Sequence, residues 1–206
     1  MPFSLPKLYP ITDRSISGLS HAEQIERLAA GGASLIQLRE KHASPREFYQ
    51  TALEAMIVAK RSGVQLVIND RVDIAIAVKA DGVHLGQDDL PPGKARMLLG
   101  EDRIIGFSTH TVDQALEADS APVDYIAIGP VFPTSTKENP DAIVSTADIR
   151  EIKSRISKPL VAIGGITIEN ARLVIDAGAD SVAMISDLLA TTDITERTHR
   201  FLELLA

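Results

Sequence analysis

The residues able to do chemistry in this 206-residue chain fall in short clusters, each at the end of an apolar run. In order they are Gln37-Leu38-Arg39-Glu40-Lys41, Asn69-Asp70, His84-Leu85-Gly86-Gln87-Asp88-Asp89, Ser108-Thr109-His110, the stretch from Gly129 to Lys137, Gly164-Gly165-Ile166 and Ile185-Ser186. Arg39, Lys41 and Lys137 supply positive charge. A phosphate monoester carries up to about −2 and, by extension, a diphosphate ester about −3. Three cations and a carboxylate-bound Mg²⁺ balance such a group better than they would a carboxylate. Any one of them alone reads as a surface charge; their coincidence at strand ends weakens that reading.

Asp70 and Asp89 follow neighbouring strands and suit one Mg²⁺, which takes one or two carboxylates and fills its octahedron with water and phosphate oxygens. The chain has no cysteine and five histidines, which disfavours zinc. The alternatives are an N-cap for a helix over 71–79 in the case of Asp70 and a solvated turn at Asp88-Asp89. Gly164-Gly165 leads into Thr167-Ile168-Glu169-Asn170, read as a helix start, and Ile185-Ser186 closes the last strand. Loops after the last two strands are the usual phosphate site of a βα barrel, although a glycine pair also serves tight packing.

The segment from Pro130 to Ser145 is the longest without regular structure and reads as a lid. Thr134 and Thr136 flank Ser135 there, so alternate side chains could face one ligand, with Lys137 closing over it. Gln37 and Asn69 are neutral donor–acceptors, suited to an aminopyrimidine edge or to satisfying buried backbone. His84 reads as a hydrogen-bonded interior group, and His110 as a proton carrier or a helix-start residue.

The elements that must position these residues alternate along the whole chain. Strands are expected at 8–12, 34–38, 65–69, 82–85, 103–107, 125–129, 160–163 and 181–184, each a near-continuous apolar run of the kind covered on both faces. Helix starts are marked by Ser20…Glu23, Ser44…Glu47, Thr111…Gln114 and Asp193…Glu196, pairs that can satisfy each other's backbone N–H groups. The helix from Ser44 places Phe48, Ala52, Ala55, Met56 and Ala59 on one face. Left-handed glycine exits are expected at Gly31-Gly32, Gly63 and Gly178. The likeness of Ala30–Ile36 to Ala177–Ala183 supports a repeated βα unit. Eight such units predict a single parallel (β/α)8 TIM barrel spanning 1–206, with all strand C-termini on one face. Pro10 removes a ladder donor inside the first strand and predicts a local break.

Net charge is −7, which argues against a sequence-independent nucleic-acid binder but not against an anionic small molecule in a locally positive pocket. Absence of cysteine excludes disulfides and thiolate catalysis. No apolar run approaches the ~20 residues of a membrane span, and Met1 to Asp13 lacks the pattern of a signal peptide. A cytoplasmic protein acting on small molecules is expected, with homo-oligomerisation open.

The clusters taken together, with Gly129-Pro130-Val131-Phe132-Pro133-Thr134-x-Thr136-Lys137 and the two aspartates the most specific, resemble the thiamine phosphate synthase family from the first strand to the last helix. The resemblance implies a transferase that condenses hydroxymethylpyrimidine diphosphate with a thiazole phosphate or its carboxylate, giving thiamine phosphate and diphosphate. It implies that Arg39, Lys41 and Lys137 hold the diphosphate, with Asp70 and Asp89 on one Mg²⁺. Gln37 and Asn69 would line the pyrimidine and diphosphate region, with Ser108 against the same substrate. Thr134 and Thr136 would contact the thiazole phosphate, with Gly165, Ile185 and Ser186 around its phosphate. Glu40 and Ser135, inside the same motifs, are counted with the substrate-binding residues; Lys137, Ser108, Arg39 and Lys41 carry the catalytic expectation. In that family the bond to diphosphate is thought to break first, leaving a pyrimidine methyl cation for the thiazole nitrogen to capture. The rival readings are a thiazole tautomerase of the same family using His110, a catalytically silent barrel that binds a thiamine precursor and regulates by association, and a generic phosphate-binding barrel isomerase.

Overall fold

A computed structural model describes residues 3–134 and 142–206. Eight parallel strands close into a barrel in chain order, β8 pairing back onto β1. They are β1 (Leu8–Thr12), β2 (Leu35–Leu38), β3 (Gln65–Asn69), β4 (Gly82–Leu85), β5 (Ile104–Thr109), β6 (Tyr125–Ile128), β7 (Leu160–Ile163) and β8 (Ser181–Met184). The outer helices are α1 (Arg14–Ser17), α2 (His21–Ala30), α3 (Pro45–Ser62), α4 (Val72–Val78), α5 (Pro92–Leu99), α6 (Val112–Ala118), α7 (Thr146–Arg155), α8 (Ala171–Asp176), α9 (Ser186–Leu189) and α10 (Ile194–Leu205). The expected barrel is the observed one. Among the described residues no helix is long and apolar enough to cross a membrane.

Strand side chains alternate between two apolar layers, as a period of two requires. Ile36, Leu38, Leu66, Ile68 and Val83 join the helices in the outer layer. Tyr9, Ile11, Leu35, Val67, Tyr125 and Val161 fill the barrel, with Phe3 and Leu5 packed against them. The apolar face foreseen for α3 is buried at Phe48, Ala52, Ala55, Met56 and Ala59. Capping boxes form at Ser20–Glu23 and Ser44–Glu47, and a third, Ser145–Asp148, uses a shorter carboxylate than the Glu/Gln pattern anticipates.

A repeat of the βα unit is visible at the strand N-termini. Asp81, Asp124 and Asp180 each precede an even-numbered strand. Each accepts the backbone N–H of a residue in the strand before: Leu66 at 2.8 Å, Ile105 at 2.7 Å and Leu160 at 2.8 Å. Each also donates its own N–H to that residue's carbonyl. These aspartates serve ladder groups that strand pairing leaves open at the floor of the barrel.

Two local expectations are corrected and one is met. Pro10 does not break β1, which is buried throughout. Its register with β8 ends at Pro10 and that with β2 begins at Ile11, so the missing donor falls where pairing passes from one neighbour to the other. The glycine exits are as expected, with φ of 101° at Gly32, 70° at Gly63 and 109° at Gly178, although the caps of α2 and α8 fall one residue earlier, at Gly31 and Ala177. Gly31 is needed for another reason: a Cβ there would lie 2.6 Å from the carbonyl oxygen of Thr195 on α10. Finally, α8 starts at Ala171 rather than near Thr167, because the Asn170 side chain accepts the Thr167 N–H at 2.8 Å and holds 167–170 as a turn.

Gly106 faces the interior in register with Tyr125, and a Cβ there would come within 2.1 Å of the tyrosine ring. Gly106→Ala therefore overpacks the barrel and is expected to cost about 1–3 kcal/mol, a fall in melting temperature of roughly 2–4 °C per kcal/mol for a chain of this size. Thermal denaturation checks this; an unchanged midpoint would show that Tyr125 can move aside freely.

Candidate active site

All eight strands contribute to one cavity of about 550 Å³ at their C-terminal ends, as the parallel barrel requires. Of the residues singled out in the sequence, Gln37, Arg39, Lys41, Asn69, Asp70, Asp89, Ser108, His110, Thr134, Gly165, Ile185 and Ser186 line it. Ser135, Thr136 and Lys137 lie outside the described residues. Glu40 does not line the cavity. Beyond β2 the chain keeps the alternation of the strand, so Gln37, Arg39 and Lys41 face the cavity while Glu40 turns outward. Its carboxylate meets His21 Nε2 at 3.3 Å and accepts the His42 N–H at 3.0 Å. Continuing the period of two past Leu38 would have separated it from its neighbours.

Both cations are held by carboxylates. Arg39 Nη1 donates to Asp13 Oδ2 at 3.0 Å, and Lys41 Nζ donates to Asp70 Oδ2 at 2.5 Å. Asp70 has φ of 63°, in the left-handed region that aspartate tolerates better than most residues, and its N–H donates to the His84 carbonyl at 2.8 Å. It is not the helix cap: Arg71 occupies that position, without a side-chain bond. Asp89 Oδ2 accepts the Gly86 N–H at 2.6 Å. Burial raises the Asp89 pKa above the usual carboxylate range, and the negative Asp70 beside it adds to the rise against the Gly86 bond that opposes it. Among the described residues no group of three or more His, Asp or Glu side chains is gathered for a metal; the donor set offered is this pair of hard carboxylates.

A chain of hydrogen bonds crosses the barrel beneath the cavity. Gln37 Nε2 donates to the Tyr9 hydroxyl at 3.1 Å, which meets the Tyr125 hydroxyl at 2.8 Å. Tyr125 meets His84 Nδ1 at 2.9 Å, and His84 Nε2 meets Ser108 Oγ at 2.8 Å. Burial lowers the His84 pKa to about 4 and raises those of both tyrosines. The interior role expected for His84 is thus observed. The tyrosines were not foreseen, because only the closed barrel brings Tyr9 and Tyr125 together. Ser108 lies inside β5, which runs two residues past the expected end.

At the opposite side, Gly164 and Gly165 have φ of 101° and 60°. A Cβ on Gly164 would lie 2.6 Å from Pro130 Cα, and one on Gly165 2.4 Å from the Pro133 carbonyl oxygen. The glycine pair therefore serves close packing while it also lines the cavity. Asp187 Oδ2 accepts the Ile168 N–H at 3.0 Å, and both Asp187 oxygens meet Arg197 Nη2 at 2.7 Å. The loops after β7 and β8 are thereby tied together and braced from α10. His110 Nδ1–H donates to the Gly129 carbonyl at 2.8 Å, and its N–H donates to Gln114 at the start of α6, so it lines the cavity and anchors a helix at once.

Because its raised pKa means that ionised Asp89 costs stability, its own contribution should fall as pH rises from about 4, against carboxylates such as Glu47 and Asp148, whose lowered pKa values make theirs rise. Asp89→Asn keeps an acceptor for Gly86. It is expected to raise the melting temperature of chelator-treated protein at pH 7, with the gain fading as pH falls toward about 4 and absent below about 3. Thermal shift across pH reads this, and a lower midpoint at every pH would refute it.

A family model described as thiamine monophosphate synthase matches residues 8–188. The thiamine-phosphate synthase of Clostridium novyi (strain NT) is 49% identical over 189 residues, covering 91% of this chain and 93% of the relative. That of Koribacter versatilis (strain Ellin345) is 48% identical over 208 residues, covering 98% and 96%. The solved structure of thiamine phosphate pyrophosphorylase from Pyrococcus furiosus superposes with a TM-score of 0.88 at 35% identity, covering 97% of this chain and 95% of that one. With its barrel, cavity and paired aspartates all in the positions described, the chain belongs to the thiamine monophosphate synthase family.

Proposed function

We propose that this protein synthesises thiamine phosphate from hydroxymethylpyrimidine diphosphate and a thiazole phosphate. The observation that carries the reading is the convergence of Arg39, Lys41, Asp70, Asp89, Gln37 and Ser108 on one cavity in a chain that belongs to this family. Gln37 and Ser108 bind the pyrimidine, with Asn69 beside them, and Arg39 and Lys41 take the diphosphate. The loops at Gly165 and Ile185-Ser186, with Thr134, receive the thiazole phosphate. Thr136 and Lys137 belong to the segment that follows Thr134 and complete both phosphate sites, and Lys137 is assigned to the leaving group.

The chemistry asks for little from a base. The C–O bond to diphosphate breaks with its electron pair leaving on the diphosphate, and the thiazole nitrogen captures the pyrimidine methyl cation. Rate then depends on leaving-group stabilisation and on two reactants held in line, dry and close. Asp70 and Asp89 would hold a single Mg²⁺, which would supply further charge to the leaving group. Charge supports that fit: Arg39 and Lys41 face three lining carboxylates, Asp70, Asp88 and Asp89, so the described lining alone does not attract a trianion.

The test is incubation of purified protein with both substrates and Mg²⁺, scoring thiamine phosphate as its fluorescent oxidation product. Product should require both substrates and vanish with EDTA. Lys137→Ala and Arg39→Ala should each lower kcat by about 10²-fold or more, as loss of a preorganised charge-stabilising group does; unchanged kcat and KM in Lys137→Ala would remove that residue from the mechanism. Isomerisation of a thiazole carboxylate phosphate without condensation would move the assignment to a tautomerase.

A further inference from the structure

The five-residue chain beneath the cavity has one direction when each hydroxyl passes its single proton to the next member. An amide nitrogen only donates, so Gln37 Nε2 gives one of its two hydrogens to the Tyr9 oxygen. Tyr9 has one proton, and its hydroxyl neighbour in the chain is Tyr125. Tyr125 in turn has one proton, which goes to His84 Nδ1. The imidazole hydrogen is then on Nε2, pointing at Ser108 Oγ. Ser108, having accepted there, has its own proton left to give, Gln37 keeps Oε1 as an acceptor, and both residues line the cavity. The two ends sit on β2 and β5, three strands apart around the ring.

The packing holds this chain in place. The Tyr9 and Tyr125 rings meet edge to face at 5.7 Å, and the His84 ring stacks on Tyr125 at 5.6 Å. Gly106 leaves the space that the Tyr125 ring and hydroxyl occupy. All three middle members are buried, which limits the competition of solvent for their protons.

We propose that Tyr9, Tyr125 and His84 are positioning residues that fix an acceptor at Gln37 and a donor at Ser108, and so select a ring bearing an amino group on one edge and a bare ring nitrogen across from it. This rests on the aminopyrimidine substrate assigned above. A 4-aminopyrimidine has that pattern, its amino group lying across the ring from N1. A 4-oxo analogue places an acceptor where Gln37 also offers one, leaving two buried acceptors facing each other. Such a mismatch is far costlier than a lost methylene contact, because unpaired polar groups remain in a dry site.

Two arms test the proposal. In the first, imidazole ¹H–¹⁵N correlations of the full-length protein assign His84 by difference against His84→Gln. The Nε2–H tautomer is expected at pH 7, and the Nδ1–H tautomer would overturn the proposal whether or not the protein makes thiamine phosphate. In the second, Tyr125→Phe and Tyr9→Phe are compared with the parent for turnover of the amino and 4-oxo pyrimidine diphosphates. Each variant keeps its ring and should fold. KM for the amino substrate should rise about tenfold or more, and the amino-over-oxo preference should shrink, with KM for the thiazole phosphate unchanged. The double variant should be no worse than either single one, since one cut already frees the chain. An unchanged preference in both single variants would overturn the proposal. Failure of the parent to form any thiamine phosphate would instead overturn the substrate assignment, leaving the tautomer to decide the chain's direction.

Discussion

Closure of β8 onto β1 is the constraint on which everything else depends. A closed parallel ladder leaves no free edge and sends every strand C-terminus the same way. Residues as distant in sequence as Tyr9 and Ser186 then share one cavity. The floor of the barrel carries the complementary device. Asp81, Asp124 and Asp180 bind ladder groups at the strand starts, so the end opposite the cavity stays ordered without taking part in chemistry.

The cavity joins two regions built on different principles. Around Gln37, Asn69, His84 and Ser108 the groups stand on strands, where packing sets side-chain direction to within a rotamer. Around Gly164, Gly165 and Ser186 the backbone itself faces the cavity. There the close approach of Pro130 and Pro133 demands glycine, while Asp187 and Arg197 lock two loops to the last helix. A planar ring that must be read at its edges suits the first region. A phosphate, symmetrical and charged, suits the second.

The sequence made the barrel legible because its signals are local. Apolar runs, Ser…Glu caps and glycine exits located eight strands to within two residues at each end. Cavity residues were legible to the extent that strand ends carry them. The failures have physical causes of the same kind. Glu40 was misplaced because strand alternation persists beyond the hydrogen-bonded strand. The continuity of β1 through Pro10 depends on where its pairing changes neighbours, which is a property of the closed ladder. The Tyr9–Tyr125–His84 contact joins residues more than forty positions apart, and no periodicity announces it; the facing Gly106 is its only trace in the chain, intelligible once register is known.

The resting partners of the two cations bear on a different matter, the company the protein keeps in a salty solution. Arg39 already touches Asp13 and Lys41 already touches Asp70. Chloride or a simple carboxylate brings no more charge than the aspartate it would displace, and it lacks that aspartate's tether. Such ions gain nothing by exchange. A polyphosphate, with several charges on adjoining oxygens, would engage both cations at once and leave Asp70 to a divalent ion shared with Asp89. The protein's own carboxylates thus already occupy the places that abundant small anions would take beside these cations.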